Sequence, residues 1–260
     1  MFNRELLVRV ASLGSGSSGN STLIEDENTC ILVDLGFTLK ETRRRLKRLG
    51  RSPEDIDAII VTHEHRDHVA GVPPFARKYS TPVYMTPGTY DCDRHGILPS
   101  LHKVNCHQSF SIGGIGIEPV PVPHDAKEPC QYVLSSAGIK IGVLTDLGHI
   151  TPHVEQQYRR CDVLLLECNH DPDMLAEGPY PYPLKKRVGG THGHLSNGQA
   201  AKLVEKMDLG RLQHLVMSHI SEKNNLPQLA SEALQPVLCD WSGTSHLADQ
   251  RDGFNWIEVE

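Results

Sequence analysis

The chain has 260 residues, a formal net charge of −6 at pH 7 and a hydrophobic fraction of 38%. A chain of this length buries roughly three quarters of its unfolded surface, so it needs neither disulfides nor a structural metal in order to fold. The negative charge excludes a strongly basic nucleic-acid coat, because non-specific affinity for DNA comes mainly from lysine and arginine. Histidine is the anomaly in this composition, with 15 residues.

The compartment is predicted from two further patterns. No apolar run approaches the roughly 20 residues that a membrane-spanning helix requires, and the segment 1–20 lacks the apolar core and cleavage site of a secretory leader. The seven cysteines are odd in number and never spaced as CxxC, which favours reduced thiols. We therefore expect a cytoplasmic protein with no membrane insertion. The sequence allows a homo-oligomer.

Short apolar segments alternate with helical patterns along the chain. The predicted strands are 8–13, 22–24, 30–33, 57–62, 82–85, 115–122, 132–134, 139–144, 163–166 and 212–217. A helix begins at Thr38, where Glu41 forms a capping box, and Gly50 suits its C-terminal end. Further helices are predicted at 66–79, 151–160, 197–207 and 227–238, the third with a capping box between Ser196 and Gln199. This alternation is typical of an α/β domain with mixed sheets, and we expect one domain over residues 1–260.

Two segments have more than one interpretation. The run RRRLKR at 43–48 makes the first helix strongly basic. We interpret it as a solvated helix face, and a patch that attracts phosphate is the alternative. The stretch 171–190 is rich in proline, glycine and tyrosine, and we predict a long, weakly structured loop there, which in a compact domain is often functional.

The segment THEHRDH carries the most information about function. His63 and His65 are two residues apart at the end of a strand, so both side chains can approach one ion. A turn at Arg66 sends Asp67 and His68 to a neighbouring position. One cation cannot comfortably take four ligands from so short a segment, whereas two adjacent cations can.

Further ligand-type side chains follow apolar strands, at the edge where open α/β sheets place their sites. They are Asp34, His124, Asp146 and His219. A lone residue of this kind is ordinarily a capping or satisfied polar group. Because a two-metal site needs extra ligands, we predict that the last three of these residues complete it.

This arrangement resembles the metallo-β-lactamase superfamily, in which an HxHxDH loop, a later His, a bridging Asp and a final His bind two metals. The resemblance implies a four-layer αββα sandwich, with two mixed β-sheets flanked by helices. It also implies a ligand set. The first metal would be bound by His63, His65 and His124, and the second by Asp67, His68 and His219. Asp146 would bridge the two metals, and Asp34 would brace the loop without binding a metal.

The match is closer to the YycJ/WalJ group of that superfamily, which is proposed to process DNA. The segments that carry the resemblance span nearly the whole chain. They are LGSGSSGNS (13–21), VTHEHRDHVAGV (61–72), VPHDA (122–126), TDLG (145–148), LLECNHD (165–171), GPYPYPLKKRVGGTHGHLSN (178–197) and SHISEKNN (218–225).

Three features favour phosphodiesters among the substrates of this fold, which does not decide function by itself. A bridging carboxylate gives a symmetric two-metal centre that suits in-line displacement. His194 resembles the histidine that serves phosphodiesterase members as proton donor or phosphate clamp, and the helix after Ser196, with Asn197, offers N–H groups to a phosphate. Lys185 and Arg187 lie in the adjacent loop, which we expect to matter more for substrate binding than the helix 43–48.

We therefore expect a binuclear metal-dependent phosphodiesterase, a nuclease or exonuclease acting on DNA, in which a hydroxide that bridges the metals attacks phosphorus in line. Asp67 would orient that nucleophile or take its proton, and His194 would protonate the leaving oxygen. The ligands suit two zinc ions, and the oxygen-rich second position also accepts manganese or iron.

Two alternatives stay open. One is a hydrolase of a small ester, thioester, lactone or cyclic phosphodiester with the same metal centre. The other is a regulatory partner that binds metal without turnover. DNA or another simple phosphodiester is favoured over structured RNA, because the stretch between Asp146 and His219 is too short for the extra domain of RNA-processing relatives, and no glycine-rich basic arm is present.

Overall fold

Seven short strands form the first of two mixed β-sheets. The computed structural model describes residues 7–259. Residues 1–6 and Glu260, which belong to the expected domain, therefore lie outside the described residues. The same holds for the first six residues of the segment 1–20, in which we predicted no secretory leader. The sheet contains β1 (Val8–Gly14), β2 (Ser21–Glu25), β3 (Cys30–Val33), β4 (Ala58–Ile60), β5 (Val83–Met85), β6 (Leu101–Lys103) and β14 (Phe254–Val259).

The second sheet also has seven strands. They are β7 (Phe110–Ile112), β8 (Ile115–Pro121), β9 (Cys130–Ser136), β10 (Ile139–Leu144), β11 (Val163–Glu167), β12 (His214–Ser218) and β13 (Thr244–Leu247).

Each sheet is antiparallel in one half and parallel in the other. The first has the order β14-β1-β2-β3-β4-β5-β6, with parallel pairing from β3 to β6. The second has the order β13-β12-β11-β10-β9-β8-β7, with parallel pairing from β10 to β13. The carboxyl ends of neighbouring parallel strands meet at one edge, so each sheet offers one edge for a site.

α-Helices pack on the outer face of each sheet, and residues 7–259 contain nine of them in all. They are α1 (Leu39–Arg48), α2 (Arg66–Val69), α3 (Val72–Tyr79), α4 (Cys92–His95), α5 (Pro152–Tyr158), α6 (Pro172–Glu177), α7 (Tyr182–Val188), α8 (Asn197–Val204) and α9 (Pro227–Leu234). Leu46 of α1 and Phe75 of α3 are fully buried against the first sheet, and Tyr158 of α5 is fully buried with Leu203 of α8 against the second.

The inner faces of the two sheets share one apolar core. Val10, Ile31 and Ile60 of the first sheet belong to the same buried cluster as Tyr132 and Leu165 of the second. The order of layers is therefore helix, sheet, sheet, helix. This confirms the predicted αββα sandwich.

Local signals fix the ends of several helices. The side chain of Thr38 accepts a hydrogen bond from the backbone N–H of Glu41, but the Glu41 side chain pairs with Arg44 and Arg45, so only half of the predicted capping box forms. Gly50 has a positive φ of 70°, as predicted for the C-terminal end of α1. Ser196 and Gln199 form the predicted capping box of α8. The single helix predicted over 66–79 is wrong, because the chain breaks after Val69 and restarts at Val72 with a proline in the first turn.

The prediction of a weakly structured stretch at 171–190 is also wrong. It contains α6 and α7, each with a proline in its first turn, where the missing N–H costs nothing. The side chain of Asp171 caps α6 by accepting hydrogen bonds from the N–H groups of Asp173 and Met174. Within residues 7–259 no helix is both long and apolar enough to cross a membrane. All seven cysteines are free thiols.

Candidate metal centre

The ligand-type side chains meet where strands of both sheets end. The segment that holds His63 and Asp67 follows β4 of the first sheet, whereas Asp146 follows β10 and His219 follows β12 of the second. His124 follows the antiparallel strand β8. Residues far apart in sequence therefore converge across the seam between the two sheets.

Three histidines form the first cluster. One ring nitrogen from each of His63, His65 and His124 lies within 4.8 Å of the others. The ring centroid of His63 is 4.5 Å from that of His65 and 4.9 Å from that of His124. Three imidazoles at this separation match the ligand chemistry of zinc and similar cations.

The second cluster contains a carboxylate and two histidines. Asp67 Oδ2 is 3.3 Å from Nε2 of His68 and 3.6 Å from Nε2 of His219. Asp146, which is 1% exposed, lies between the clusters: its Oδ2 is 3.1 Å from Nε2 of His68 and its Oδ1 is 3.8 Å from Nε2 of His124. The structure thus brings together all seven side chains of the expected ligand set.

Outer hydrogen bonds orient the histidine rings. Nδ1 of His63 is 2.9 Å from the Thr62 hydroxyl, and Nδ1 of His124 is 3.0 Å from the Gly193 carbonyl oxygen. Nδ1 of His68 lies beside the Asp34 carboxylate, and Nδ1 of His219 lies beside the Glu167 carboxylate. Each of these four rings therefore presents Nε2 to the centre, as in metal sites whose ligands are held by an outer layer of hydrogen bonds. His65 differs, because its Nδ1 lies 3.3 Å from Nε2 of His124.

Two of these nitrogens show that the pocket suits a cation. Nε2 of His63 and Nε2 of His219 are buried and have no hydrogen-bond partner among the residues described. Buried polar atoms are ordinarily satisfied, and a divalent ion is the partner that a ring of imidazole and carboxylate ligands accepts. The residues present therefore fit divalent metal binding.

Two opposing electrostatic effects set the pKa values of the histidines. Burial lowers the pKa of His63 well below its usual range, and neighbouring His68 adds to that effect. Burial acts in the same direction on His68 and His219, but Asp146 and Asp67 outweigh it and raise the pKa of His219 to about 10 and that of His68 well above its usual range. Because metal ligands must be neutral imidazoles, metal binding releases these protons.

Asp34 holds the histidine-rich segment 62–68 through hydrogen bonds. Its carboxylate accepts hydrogen bonds from the N–H and the hydroxyl of Thr62, both at 2.8 Å, and lies 2.8 Å from Nδ1 of His68. Its backbone is left-handed, with φ of 61°. Asp34 thus fixes both the backbone and one ring of the histidine-rich segment without reaching the centre itself.

Substitution of Asp34 by Asn tests this support. Asn tolerates the left-handed backbone, but its amide group offers a donor where the carboxylate accepts. We expect Asp34→Asn to weaken zinc binding roughly 10–100-fold, measured by competition with a chromophoric chelator. Asp162→Asn is the matched control, because Asp162 is an equally buried carboxylate that accepts from Lys140 N–H at the opposite edge of the second sheet. Unchanged zinc affinity of Asp34→Asn would contradict the supporting role.

Glu167 is the main site residue that sequence reasoning missed. It is fully buried at the end of β11, and its carboxylate lies 2.7 Å from Nδ1 of His194 and 3.1 Å from Nδ1 of His219. It also accepts from the N–H groups of Leu147 and Leu195. A carboxylate that ends an apolar strand is the signal that identified Asp34 and Asp146, and it was present here too.

His194 stands at the mouth of the centre. Its ring centroid is 5.2 Å from that of His124 and 5.2 Å from that of His219, and its side chain is 19% exposed, whereas the ligand histidines beside it are buried. Burial lowers its pKa, but Glu167 outweighs this effect and raises it. Because Nδ1 is held by Glu167, Nε2 is the nitrogen that remains for a substrate.

The expected substrate contacts have different surroundings. Arg187 pairs with Asp125, whose carboxylate is 3.4 Å from Nε2 of His124, so this arginine lies beside the first cluster. Nζ of Lys185 donates to the Ala176 carbonyl at 2.6 Å. Ser196 caps α8, and the Asn197 amide exchanges hydrogen bonds with that of Asn225.

The glycine-rich segment after β1 contributes a second missed residue. Nδ2 of Asn20 is 3.2 Å from Asp67 Oδ2 and 3.1 Å from Nε2 of His68. The Ser15 hydroxyl accepts a hydrogen bond from the His219 N–H at 2.9 Å. This loop therefore holds the second cluster, a role that its composition alone does not reveal.

Known proteins resemble this chain in sequence and in fold. The sequence model of the Beta-lactamase superfamily domain matches residues 29–220. The Exodeoxyribonuclease YycJ of Bacillus anthracis is 32% identical over 230 residues, covering 87% of each chain, and the Exodeoxyribonuclease WalJ of Streptococcus pneumoniae is 34% identical over 234 residues, covering 87% of this chain and 86% of that one. The metallo-β-lactamase fold protein YhfI from Bacillus subtilis superposes with a TM-score of 0.74 over 97% of this chain and 99% of its own, at 16% identity, which concerns the fold alone.

The sandwich and its histidine–aspartate centre define an enzyme of the metallo-hydrolase class. More particularly, the chain belongs to the metallo-β-lactamase superfamily, and within it to the group of YycJ and WalJ. The family resemblance inferred from the sequence is confirmed.

Proposed function

We propose that this enzyme is a binuclear metal-dependent phosphodiesterase whose substrate is DNA. The observation that carries the proposal is the pair of ligand clusters with Asp146 between them, and with the His194–Glu167 pair directly beside them. The relatives named exodeoxyribonucleases, at 32% and 34% identity, support DNA as the substrate.

The two clusters would each hold one divalent cation. His63, His65 and His124 would hold the first and Asp67, His68 and His219 the second, with Asp146 between them. The bound ions would supply Lewis-acid stabilisation of phosphate oxygens and an activated water at neutral pH. Imidazole and carboxylate ligands favour zinc, and manganese or iron would also be accepted.

The protein's own residues would handle the protons. Asp67, steadied by Asn20 Nδ2 at 3.2 Å, would orient the attacking water or receive its proton. His194, with Nδ1 held by Glu167, would donate a proton from Nε2 to the leaving deoxyribose oxygen. Arg187 would hold a phosphate oxygen next to the first cluster, exchanging Asp125 for the substrate. Lys185 would act farther along the strand, whereas the side chains of Ser196 and Asn197 are buried and already hydrogen-bonded, so they would shape the site and not contact the substrate.

We also propose a cytoplasmic location, which the seven free thiols support. Five of the seven have a raised pKa, in each case chiefly through burial. Thiols in that state are poor nucleophiles and metal ligands, so they do not compete with the histidine centre.

Digestion of end-labelled DNA tests the proposed function. Purified enzyme loaded with Mn²⁺ or Zn²⁺ should release labelled nucleotides from linear DNA, and a chelator should abolish the release. The same preparation is assayed on thioester and lactone panels and on bis-p-nitrophenyl phosphate. Turnover of thioesters or lactones without DNA degradation would reassign the enzyme to small esters. No metal-dependent turnover of any substrate would indicate a binding protein instead.

A further inference from the structure

An open cleft of about 860 Å³ adjoins the metal centre on the side of the first sheet. Asp67 belongs both to its wall and to the second ligand cluster, so the cleft opens directly beside the centre. The remaining wall comes from the loop with Ser17 and Ser18, from the segment 36–38, from α1 between Glu41 and Arg45, from Arg66 and Ala70, and from the loop 250–252. A ligand in this cleft would therefore continue into the centre.

Arginine dominates the charge of the cleft. Its wall contains four arginines, Arg44, Arg45, Arg66 and Arg251, against three acids, Glu41, Asp67 and Asp252. This local excess of positive charge stands out in a chain whose net charge is −6. The balance becomes more positive once the charge of Asp67 is engaged by a cation in the centre.

The four arginines are not equivalent. Arg45 is buried, lies over the Phe37 ring and donates to the Leu13 and Gln250 carbonyls, so its role is to hold the wall. Arg44 pairs with Glu41 at 2.7 Å. Arg66 and Arg251 are exposed, and their guanidinium groups have no ion pair or hydrogen bond within residues 7–259. Two guanidinium groups that are not engaged in ion pairs are suited to binding phosphate groups in this cleft.

The cationic surface continues beyond this cleft. A second cleft of about 730 Å³ shares Arg44 and is lined by Lys40, Arg43, Lys47 and Arg51. It follows α1, whose ten residues span about 15 Å. The cations thus form a path that leads away from the metal centre, as an extended polyanion requires.

We propose that this cleft binds the sugar–phosphate backbone of the DNA strand next to the phosphate being cleaved, with Arg66 and Arg251 as its phosphate contacts. The inference rests on the proposed nuclease function and extends it to the path of the substrate. The only aromatic ring in the described wall, Phe37, is buried, so the cleft has no exposed ring for base stacking. Binding here is therefore independent of base sequence. The position of Arg44 in this cleft also favours, for that residue of the run 43–48, the interpretation as a patch that attracts phosphate.

The test is the binding of a fluorescein-labelled, single-stranded phosphorothioate oligonucleotide to the metal-loaded enzyme, followed by anisotropy over a KCl series. Each lost phosphate contact lowers the salt slope by roughly 0.7. We expect Arg66→Glu/Arg251→Glu to lower the slope by about 1.4 and to raise Kd roughly tenfold at low salt. Arg251→Glu alone should give about half of the change in slope, and it avoids a substitution between two ligand residues.

The matched control is Arg159→Glu/Arg160→Glu, which makes the same change in net charge. Both residues follow α5 and precede β11, at the edge of the second sheet opposite the centre. Metal content and melting temperature show that each variant is folded and loaded. An unchanged Kd and slope in both Arg251 variants overturns the proposal, as does an equal shift in the control or the absence of binding by the wild type.

The two proposals fail separately. A wild-type enzyme that binds the oligonucleotide through Arg66 and Arg251 but does not degrade DNA would overturn the nuclease and keep the cleft. A wild-type enzyme that degrades DNA, with binding that is insensitive to these arginines, would overturn the cleft and keep the nuclease.

Discussion

His194→Ala is expected to lose roughly 10²–10⁴-fold in kcat on DNA. In the proposed mechanism the bound metals would supply the nucleophile and the charge stabilisation, so a general acid would be needed chiefly for a poor leaving group. A deoxyribose oxygen is such a group, whereas p-nitrophenolate leaves without a proton. The loss on bis-p-nitrophenyl phosphate should therefore be far smaller, as measured by kcat on both substrates.

His192→Ala is the matched control, because His192 is an exposed histidine of the same loop, and within residues 7–259 its Nδ1 has no hydrogen-bond partner except the neighbouring Thr191 hydroxyl. It should retain activity on both substrates. Equal losses on both substrates in His194→Ala would make His194 a phosphate clamp, and no loss would leave it a loop histidine beside a helix cap. A fall in metal content would instead make His194 a metal ligand.

Substitution of the metal ligands is expected to lower the number of metal ions that the enzyme holds. The wild-type enzyme, reconstituted with excess zinc, should hold about two ions per chain, as two-metal hydrolases do. His63→Ala should retain only the ion of the second cluster, and Asp146→Ala should weaken both ions because its carboxylate lies between the clusters. Metal content after gel filtration is measured by atomic emission.

His102→Ala is the control for these variants, because His102 is exposed on β6, the edge strand of the first sheet, where it stacks on Tyr84. It should keep the wild-type metal content. One ion or none in the reconstituted wild type would contradict a binuclear centre. Retention of both ions by Asp146→Ala would contradict the position proposed for Asp146.

Much of the fold could be predicted because its central strands are apolar and its helices carry capping signals. The strand Cys30–Val33 is buried throughout and was predicted with the correct ends. The strands β6, β7, β13 and β14 were not predicted, since they are short or partly exposed and lie at or next to the sheet edges. Helix α7 has no buried residue and therefore no apolar periodicity to reveal it.

The candidate site divides in a similar way. The HxHxDH segment and the strand-end residues Asp146 and His219 could be identified because ligand chemistry requires specific side chains. Glu167 ends an apolar strand, as Asp34 and Asp146 do, but that position alone does not show that it holds the rings of His194 and His219. Asn20 likewise acts on Asp67 rather than on a cation. The arginine cleft depends on bringing Arg66 next to Arg251 in space, and no local pattern links positions so distant in sequence.

The pairing of β14 with β1 sets an order for assembly during synthesis. Val8 and Val10 of β1 pair with Val259 and Ile257, and the N–H of Ser15 donates to the Asp249 carbonyl. Ser15 in turn fixes the backbone of His219. A nascent chain can therefore complete the first sheet and secure its final ligand only after residues 249–259 have left the ribosome. Contacts this far apart in sequence form slowly, so we expect the second cluster to reach its final arrangement late in folding.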